Sequence, residues 1–315
     1  MKILSFGHIP SWAGGRQESG LANVIFNLAR NMAEVGKDSV YVRLAATDMT
    51  SDSDKYAPLY LYGWTYTLLI RHILLHPVQA LKTLIHLVEC RKKYGRPVDV
   101  KRMFMKAVFL RHCIDDYKPD ILHLHGADNI VYFPIIPEKV KIIMTRHGKV
   151  GGDDNIKDSN LYALFERDCC KSPRISKLYF ISSQLVEDYN AYYGGIQSEV
   201  EVILNAYDSD NFYYIQHKKS EKPVLITIAS LSELKGQERV LKAIAGSKLQ
   251  CKYICIGSDS HGLDEQLRHF AKENGIKAAS RFYRCSKNTV KKWMRRFALR
   301  GKYGLVNESR KPHTS

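Results

Sequence analysis

Two adjacent glycines, Gly14 and Gly15, stand between an apolar run, Lys2–Phe6, and apolar residues at helical spacing, Leu21, Val24, Ile25, Leu28, Ala29 and Met32. Glycine in such a strand-to-helix turn permits positive φ and lets backbone N–H groups at the helix start approach a phosphate or a sugar. A glycine pair is equally at home in any tight turn. The spacing is not G-x-G-x-x-G, which counts against a nicotinamide or flavin cofactor. Histidines close two later apolar runs, His123 and His125 in Asp120-Ile-Leu-His-Leu-His-Gly126 and His147 in Met144-Thr-Arg-His-Gly148. His123 and His125 leave one strand and are expected to point to opposite sides, so that at most one, with His125 preferred, faces a cleft. These histidines and the seven cysteines show no closed set with metal-ligand spacing, so no metal site is assigned.

The elements that must position these residues follow from periodicity. Strand, glycine turn, helix ending at Gly36 and second strand Val40–Leu44 form the β-turn-α-β unit of a parallel doubly wound sheet. Short apolar runs at Ile121–Leu124, Lys141–Thr145, Lys177–Ile181 and Glu201–Leu204 read as further buried parallel strands, with a basic helical region over 65–117 before them. After a polar linker, Asp208–Lys222, a second βα series begins: strand Pro223–Ala229, helix Glu238–Ala245, strand Cys251–Ile256 and helix Leu263–Asn274. There the series is expected to stop. Two strands and two helices are too few for a doubly wound domain.

Charge divides the chain differently. Of a formal net charge of +16, eleven Lys/Arg against the single acid Glu308 place +10 in 278–315, so the excess is local rather than a uniformly basic surface. The cysteines are odd in number, contain no C-x-x-C pair and include Cys251 and Cys255 within an apolar run, which indicates reduced thiols and a cytoplasmic chain. The most lipophilic stretch, Tyr56–Leu75, is broken by Arg71 and falls short of a bilayer span. Across 56–96, Trp64, Tyr66, Leu68, Leu69, Ile73 and Leu74 and later leucines alternate with Arg71, Lys82, Arg91, Lys92 and Lys93. That mixture suits either helices packed on the sheet or peripheral contact with the inner face of a membrane.

Taken together, the glycine turn, the two histidine segments, Phe180-Ile-Ser-Ser-Gln184, Val202-Ile-Leu-Asn-Ala-Tyr-Asp208 and Ile228-Ala-Ser-Leu-Ser-Glu-Leu-Lys-Gly236 fall in the order and spacing of one family. Over about 1–277 the chain resembles the retaining, nucleotide-sugar-dependent glycosyltransferases of family 4. The resemblance implies a GT-B fold of Rossmann-like domains: an acceptor-side domain over 1–212 and part of a donor-side domain over 213–277. It implies a glycosyltransferase of bacterial surface-polysaccharide type, with a nucleotide-sugar as co-substrate, a saccharide or lipid-linked acceptor and no further cofactor. By the same resemblance Gly14 and Gly15 lie against the donor diphosphate, Lys235 neutralises the leaving diphosphate, His147 faces the transferred sugar as the catalytic residue, and His125 and Asn205 line the acceptor or sugar cleft. The chain departs from the family where Ser230 replaces an arginine of the phosphate-binding segment. It departs again after Gly275, where the carboxylate pair that holds ribose and sugar is missing. The expectation is a truncated, impaired donor side.

In the tail, Ser286 reads as a helix N-cap, and Val290, Trp293, Met294 and Phe297 as an apolar stripe between cations. The segment 278–315 resembles the helix-turn-helix of insertion-sequence transposases, which implies weak DNA contact through Lys287, Asn288, Lys291 and Lys292. Two alternative functions therefore stand beside the transferase: a DNA-binding or transposase-derived fusion, and a non-catalytic sugar-nucleotide-binding remnant.

Overall fold

A computed structural model describes residues 1–16, 19–36, 39–95, 97–152, 159–206, 222–247, 249–257, 259 and 262–273, and the backbone of 281–284. The chain divides into two compact units, Met1–Ala206 and Tyr207–Ser315.

Unit 1 is a mixed α/β domain around one sheet. Its elements are β1 (Lys2–Gly7), α1 (Gly20–Val35), β2 (Tyr41–Ala46), β3 (Ser53–Tyr56), β4 (Leu59–Tyr62), α2 (Tyr66–Leu75), α3 (Pro77–Tyr94), α4 (Val100–Tyr117), β5 (Ile121–His125), a 3-10 segment Ala127–Ile135, β6 (Lys141–Arg146), α5 (Ser159–Cys170), β7 (Ile175–Phe180), α6 (Ser183–Tyr193) and β8 (Glu199–Val202). The sheet order is β3-β4-β2-β1-β5-β6-β7-β8. Every neighbouring pair is parallel except β3 with β4. The chain runs outward from β1 to β2 and β4, then returns to lay β5 on the other side of β1. That reversal opens a crevice at the carboxyl ends of β1 and β5, where doubly wound sheets bind their ligands.

Alternation along the strands covers both faces of the sheet. Leu4, Phe6, Leu122, Leu124, Ile142 and Met144 pack with α3, α4 and α5, whereas Ile3, Val42 and Leu44 pack with Ile25, Phe26 and Ala29 of α1. The helices start where short polar side chains accept from backbone N–H groups: Ser19 from Ala22, Thr65 from Leu68, Asp99 from Arg102 and Ser182 from Leu185.

Two readings of the sequence are corrected here. The lipophilic stretch from Tyr56 is not one element, since β3 and β4 form an antiparallel pair at the sheet margin before α2 begins. The last strand of unit 1, Glu199–Val202, is not a buried apolar strand either. It lies at the sheet edge, Val202 and Leu204 are exposed, and Lys177 of β7 pairs with both Glu199 (2.7 Å) and Glu201 (2.9 Å). Charged edges of this kind discourage pairing with another chain.

Unit 2 contains β9 (Val224–Ile228), a 3-10 turn Glu233–Lys235, α7 (Gln237–Ser247), β10 (Lys252–Gly257), α8 (Leu263–Glu273) and β11 (Arg281–Arg284). The βα series therefore does not stop at Asn274. Backbone pairing of β11 with β10 adds a third parallel strand from within the segment assigned to the tail, in the order β11-β10-β9. One apolar layer, with Leu241, Ile244, Tyr253, Cys255 and Leu267, packs between the strands and the helices. Cys251 and Cys255 are buried in it as small apolar side chains. Val224, Ile226 and Ile228 on β9 are exposed. The DNA-contact candidates Lys287, Asn288, Lys291 and Lys292 lie outside the described residues.

Candidate active site

The glycine turn sits directly after β1 at the crevice. Gly14 has φ +102°, a conformation that side chains rarely adopt. Gly15 answers a different need, because a Cβ there would lie 2.1 Å from the Ile9 carbonyl oxygen. The turn is held from below by Asp48, the second residue after β2, whose carboxylate accepts from Ile9 N at 3.1 Å and Arg16 N at 2.8 Å.

Toward the carboxyl ends of β1, β5 and β6, three polar side chains form a line. Ser5 Oγ is 3.1 Å from His125 Nε2, and His125 Nδ1 is 3.1 Å from His147 Nε2. His123 belongs to the same face, with its ring centroid 4.2 Å from that of His125 and its Nε2 2.7 Å from Thr145 Oγ1. The expectation that His123 and His125 diverge is thus overturned. Residues two apart on a strand share a face, and both rings join Ser5 on the α1 side of the sheet. His125 is buried and His147 half-buried. Burial, reinforced by the neighbouring rings, pushes His125 far below the usual imidazole range; burial, then Arg146, brings His147 down to about 4; burial and His147 bring His123 to about 3. All three rings are neutral at pH 7. The Nδ1 of His147 makes no hydrogen bond among the described residues and is the free end of the line.

The segment that carries His147 is anchored by a network not foreseen from sequence. Arg146 donates to Glu166 at 2.5 Å and to Tyr189 at 2.8 Å. Glu166 of α5 also accepts from Tyr189 at 2.8 Å, Tyr193 at 2.5 Å, Val150 N at 3.1 Å and Gly151 N at 2.9 Å. Burial alone would raise the Glu166 carboxyl; Arg146, Tyr193, the Gly151 N–H and Tyr189 hold it below its ordinary range. A lone glutamate beside Phe165 and Cys169 on the buried side of α5 was the available signal.

Two further predicted residues, Asn205 and Lys235, are exposed. Asn205 follows β8 and is exposed, with no hydrogen bond among the described residues. Lys235 ends the 3-10 turn of unit 2, exposed and unpaired among the described residues. Its turn is shaped by Gln237, wholly buried, which donates to Ser230 O at 3.0 Å and accepts from Ser232 N at 3.4 Å.

The expected lack of a closed metal-ligand set meets one exception. His72 of α2, His76 between α2 and α3, and Asp115 of α4 bring one ligating atom each within 4.8 Å of one another. Arg111 already engages Asp115 at 2.8 Å, and His72, buried beside His76 and His112, is kept neutral with its pKa at about 4.

Also at the crevice is a cleft of about 270 Å³, whose walls come from the ends of β1, β2 and β4 and from α4. His8, directly after β1, lies in it with Nδ1 3.0 Å from Thr47 Oγ1, and was not singled out in the sequence.

Among solved structures the chain is similar to the lipopolysaccharide outer core galactosyltransferase WaaB in its apo form, with TM-score 0.56 and 13% identity over 97% of this chain and 72% of that one. It is similar to sucrose-phosphate synthase from Thermosynechococcus elongatus, with TM-score 0.63 and 11% identity over 90% and 70%. It is also similar to HepE from Anabaena in complex with UDP, with TM-score 0.52 and 14% identity over 94% and 72%. At such identities these likenesses establish the fold, the Rossmann-like architecture of GT-B glycosyltransferases. A search of curated protein sequences returns no match. The model of Glycosyltransferase Family 4 matches residues 19–211, well over half of the sequence and including both histidine segments, and the chain belongs to that family.

Proposed function

We propose that this glycosyltransferase moves a sugar, with retention, from a nucleotide-sugar to a saccharide or lipid-linked acceptor of a bacterial surface polysaccharide. The observation that carries the reading is the neutral line Ser5–His125–His147 at the carboxyl side of the sheet, with both of its histidines inside the family-matched segment. In this reading His147 is the catalytic residue and meets the transferred sugar through Nδ1, while His125 fixes its orientation. Gly14 and Gly15 leave room for the donor diphosphate, and Lys235 offsets the charge that develops as the diphosphate leaves. Asn205 contributes to the sugar cleft. UDP bound to HepE supports a nucleoside diphosphate as the donor's leaving group. No cofactor beyond the nucleotide-sugar is used.

The donor side is impaired in this proposal. Ser230 offers no fixed charge to phosphate, and β9, the first strand of its sheet, stands at an edge with Val224, Ile226 and Ile228 exposed. Thermal-shift screening of nucleoside diphosphates and their sugars tests the reading. A nucleoside diphosphate is expected to stabilise the chain, with little turnover in a coupled assay. Brisk turnover abolished by Lys235→Ala would disprove the impairment.

A membrane contact is favoured by one further observation. No single described helix is long and apolar enough to cross a membrane, and α2 and α3 are bent by 108° at their junction. Tyr66, Ile70, Leu74, Leu75, Val78 and Leu81 on these helices are exposed, beside exposed Arg71, Lys82, Lys92 and Lys93. Apolar side chains flanked by cations suit an anionic interface. Sedimentation with phosphatidylglycerol vesicles, lost on Leu74→Asp with Leu75→Asp, is the expected result; equal binding by the variant would refute the contact. The DNA-binding and remnant readings draw no support from the family match or the fold neighbours.

A further inference from the structure

The 270 Å³ cleft carries chemistry that the line of histidines does not use. Arg16 follows the glycine turn, and Arg102 and Lys106 stand one turn apart on α4; all three line the cleft, and none of their side chains makes a hydrogen bond or ion pair among the described residues. Like charges at i, i+4 repel, so the α4 pair has a cost in the empty protein. Lys106 is half-buried, and burial lowers its ammonium pKa despite the nearby Asp128 and Asp48. Asp48 is already engaged by the backbone of Ile9 and Arg16. An ammonium withdrawn from water without a bonded anion is unfavourable unless a ligand supplies one.

Another part of the lining suits a sugar ring. Trp64 is fixed by donating from Nε1 to Thr47 O at 3.1 Å, and it lines the cleft beside Thr50 and Met105. A pinned aromatic face with polar neighbours binds flat, amphipathic rings. The volume is near the lower end of small-molecule sites, about 300 Å³, which fits one sugar with a charged substituent better than a chain of sugars.

We propose that this cleft seats the acceptor and that the acceptor saccharide carries an anionic group, phosphate or carboxylate, held by Arg102 and Lys106 with Arg16 beside them. The assignment rests on the transferase reading above and adds the acceptor's chemical class to it. Phosphate and carboxylate share the recognition chemistry, since each offers several charged acceptors to guanidinium and ammonium donors.

Calorimetric titration of the full chain with glucose, glucose 6-phosphate, glucuronate and UDP tests this, with the folded state of each variant checked by circular dichroism. At least one of the two charged sugars is expected to bind about tenfold or more tightly than glucose, the margin of a charge-assisted hydrogen bond. Which of the two binds identifies the anion. Lys106→Met should remove that margin and Lys106→Arg keep it, with UDP affinity unchanged in both. Lys106→Met should also leave thermal stability equal or slightly raised, because it relieves the α4 repulsion. A margin that survives both Lys106→Met and Arg102→Met, or no preference for either charged sugar while UDP still binds, overturns the acceptor assignment and leaves the transferase reading standing. Binding of a charged sugar without any binding of UDP sinks the transferase reading, and the acceptor assignment with it.

Discussion

In unit 1 the cation next to His147, Arg146, is buried and fully engaged by Glu166 and Tyr189, and the segment it anchors is tied down by two further backbone hydrogen bonds. In unit 2 the cation that family resemblance selects, Lys235, is exposed and bonded to nothing among the described residues, on a turn fastened by one glutamine. The first arrangement is rigid before any ligand arrives, and its charges serve the fold. The second leaves its cation in solvent and contributes little to stability. The candidate residues are coupled to folding in unit 1 and separable from it in unit 2.

Mutations should expose that contrast. Glu166→Gln leaves Arg146 buried without its counter-charge and is expected to cost about 3–5 kcal/mol in urea unfolding of unit 1. A loss below about 1 kcal/mol would show that the segment 147–151 is not held by this pair.

Acid should act on the same half. An unfolded histidine takes its proton near pH 6.5, whereas His123 in the native chain does so only at about 3. Between these values the unfolded state binds more protons, so stability falls as pH falls, by roughly 3 kcal/mol at pH 4 from His123 alone. Chemical denaturation between pH 7 and 4 should show it, and His123→Asn should flatten the slope. A slope unchanged in the variant would place the titration elsewhere. In unit 2 the one histidine among the described residues, His269, is exposed.

Lys235→Ala should reverse the pattern, with stability unchanged within about 0.5 kcal/mol and UDP affinity weakened by about tenfold. Unaltered affinity would return Lys235 to the ordinary surface. The smallest of these effects belongs to Gly14→Ala, about 1 kcal/mol, since its φ of +102° is strained for alanine while the space for a Cβ is open. If Gly14→Ala costs nothing by thermal denaturation, the turn relaxes and is not preset for a ligand.

Much of the sheet was legible because buried parallel strands are short apolar runs; β1, β2, β5, β6, β9 and β10 each begin or end within about a residue or two of such a run. The pair β3 and β4 was not, because Leu59–Tyr62 merges into the apolar residues of α2 and hides the turn between them. The glycine turn and His147 were visible as local motifs. The face shared by His123 and His125 was misjudged, although period two was enough to settle it. Glu166 was hidden because its partners are spread over positions 146, 150, 151, 189 and 193, a convergence that only folding creates. Arg102 and Lys106 were absorbed into a generally basic helical region, and only the cleft distinguishes them from solvated charges.

The line from Ser5 to His147 has one more property. With all members neutral it is complete in either of two proton arrangements. Ser5 donates to His125 and His125 to His147, leaving an N–H at His147 Nδ1, or each bond reverses and leaves a lone pair there. Because the hydrogen-bond count is the same in both, the protein imposes no polarity of its own on the tip of the relay. Whichever group docks at Nδ1, hydroxyl proton or oxygen lone pair, sets the tautomer of two rings at once, so the site presents a complement that its occupant writes.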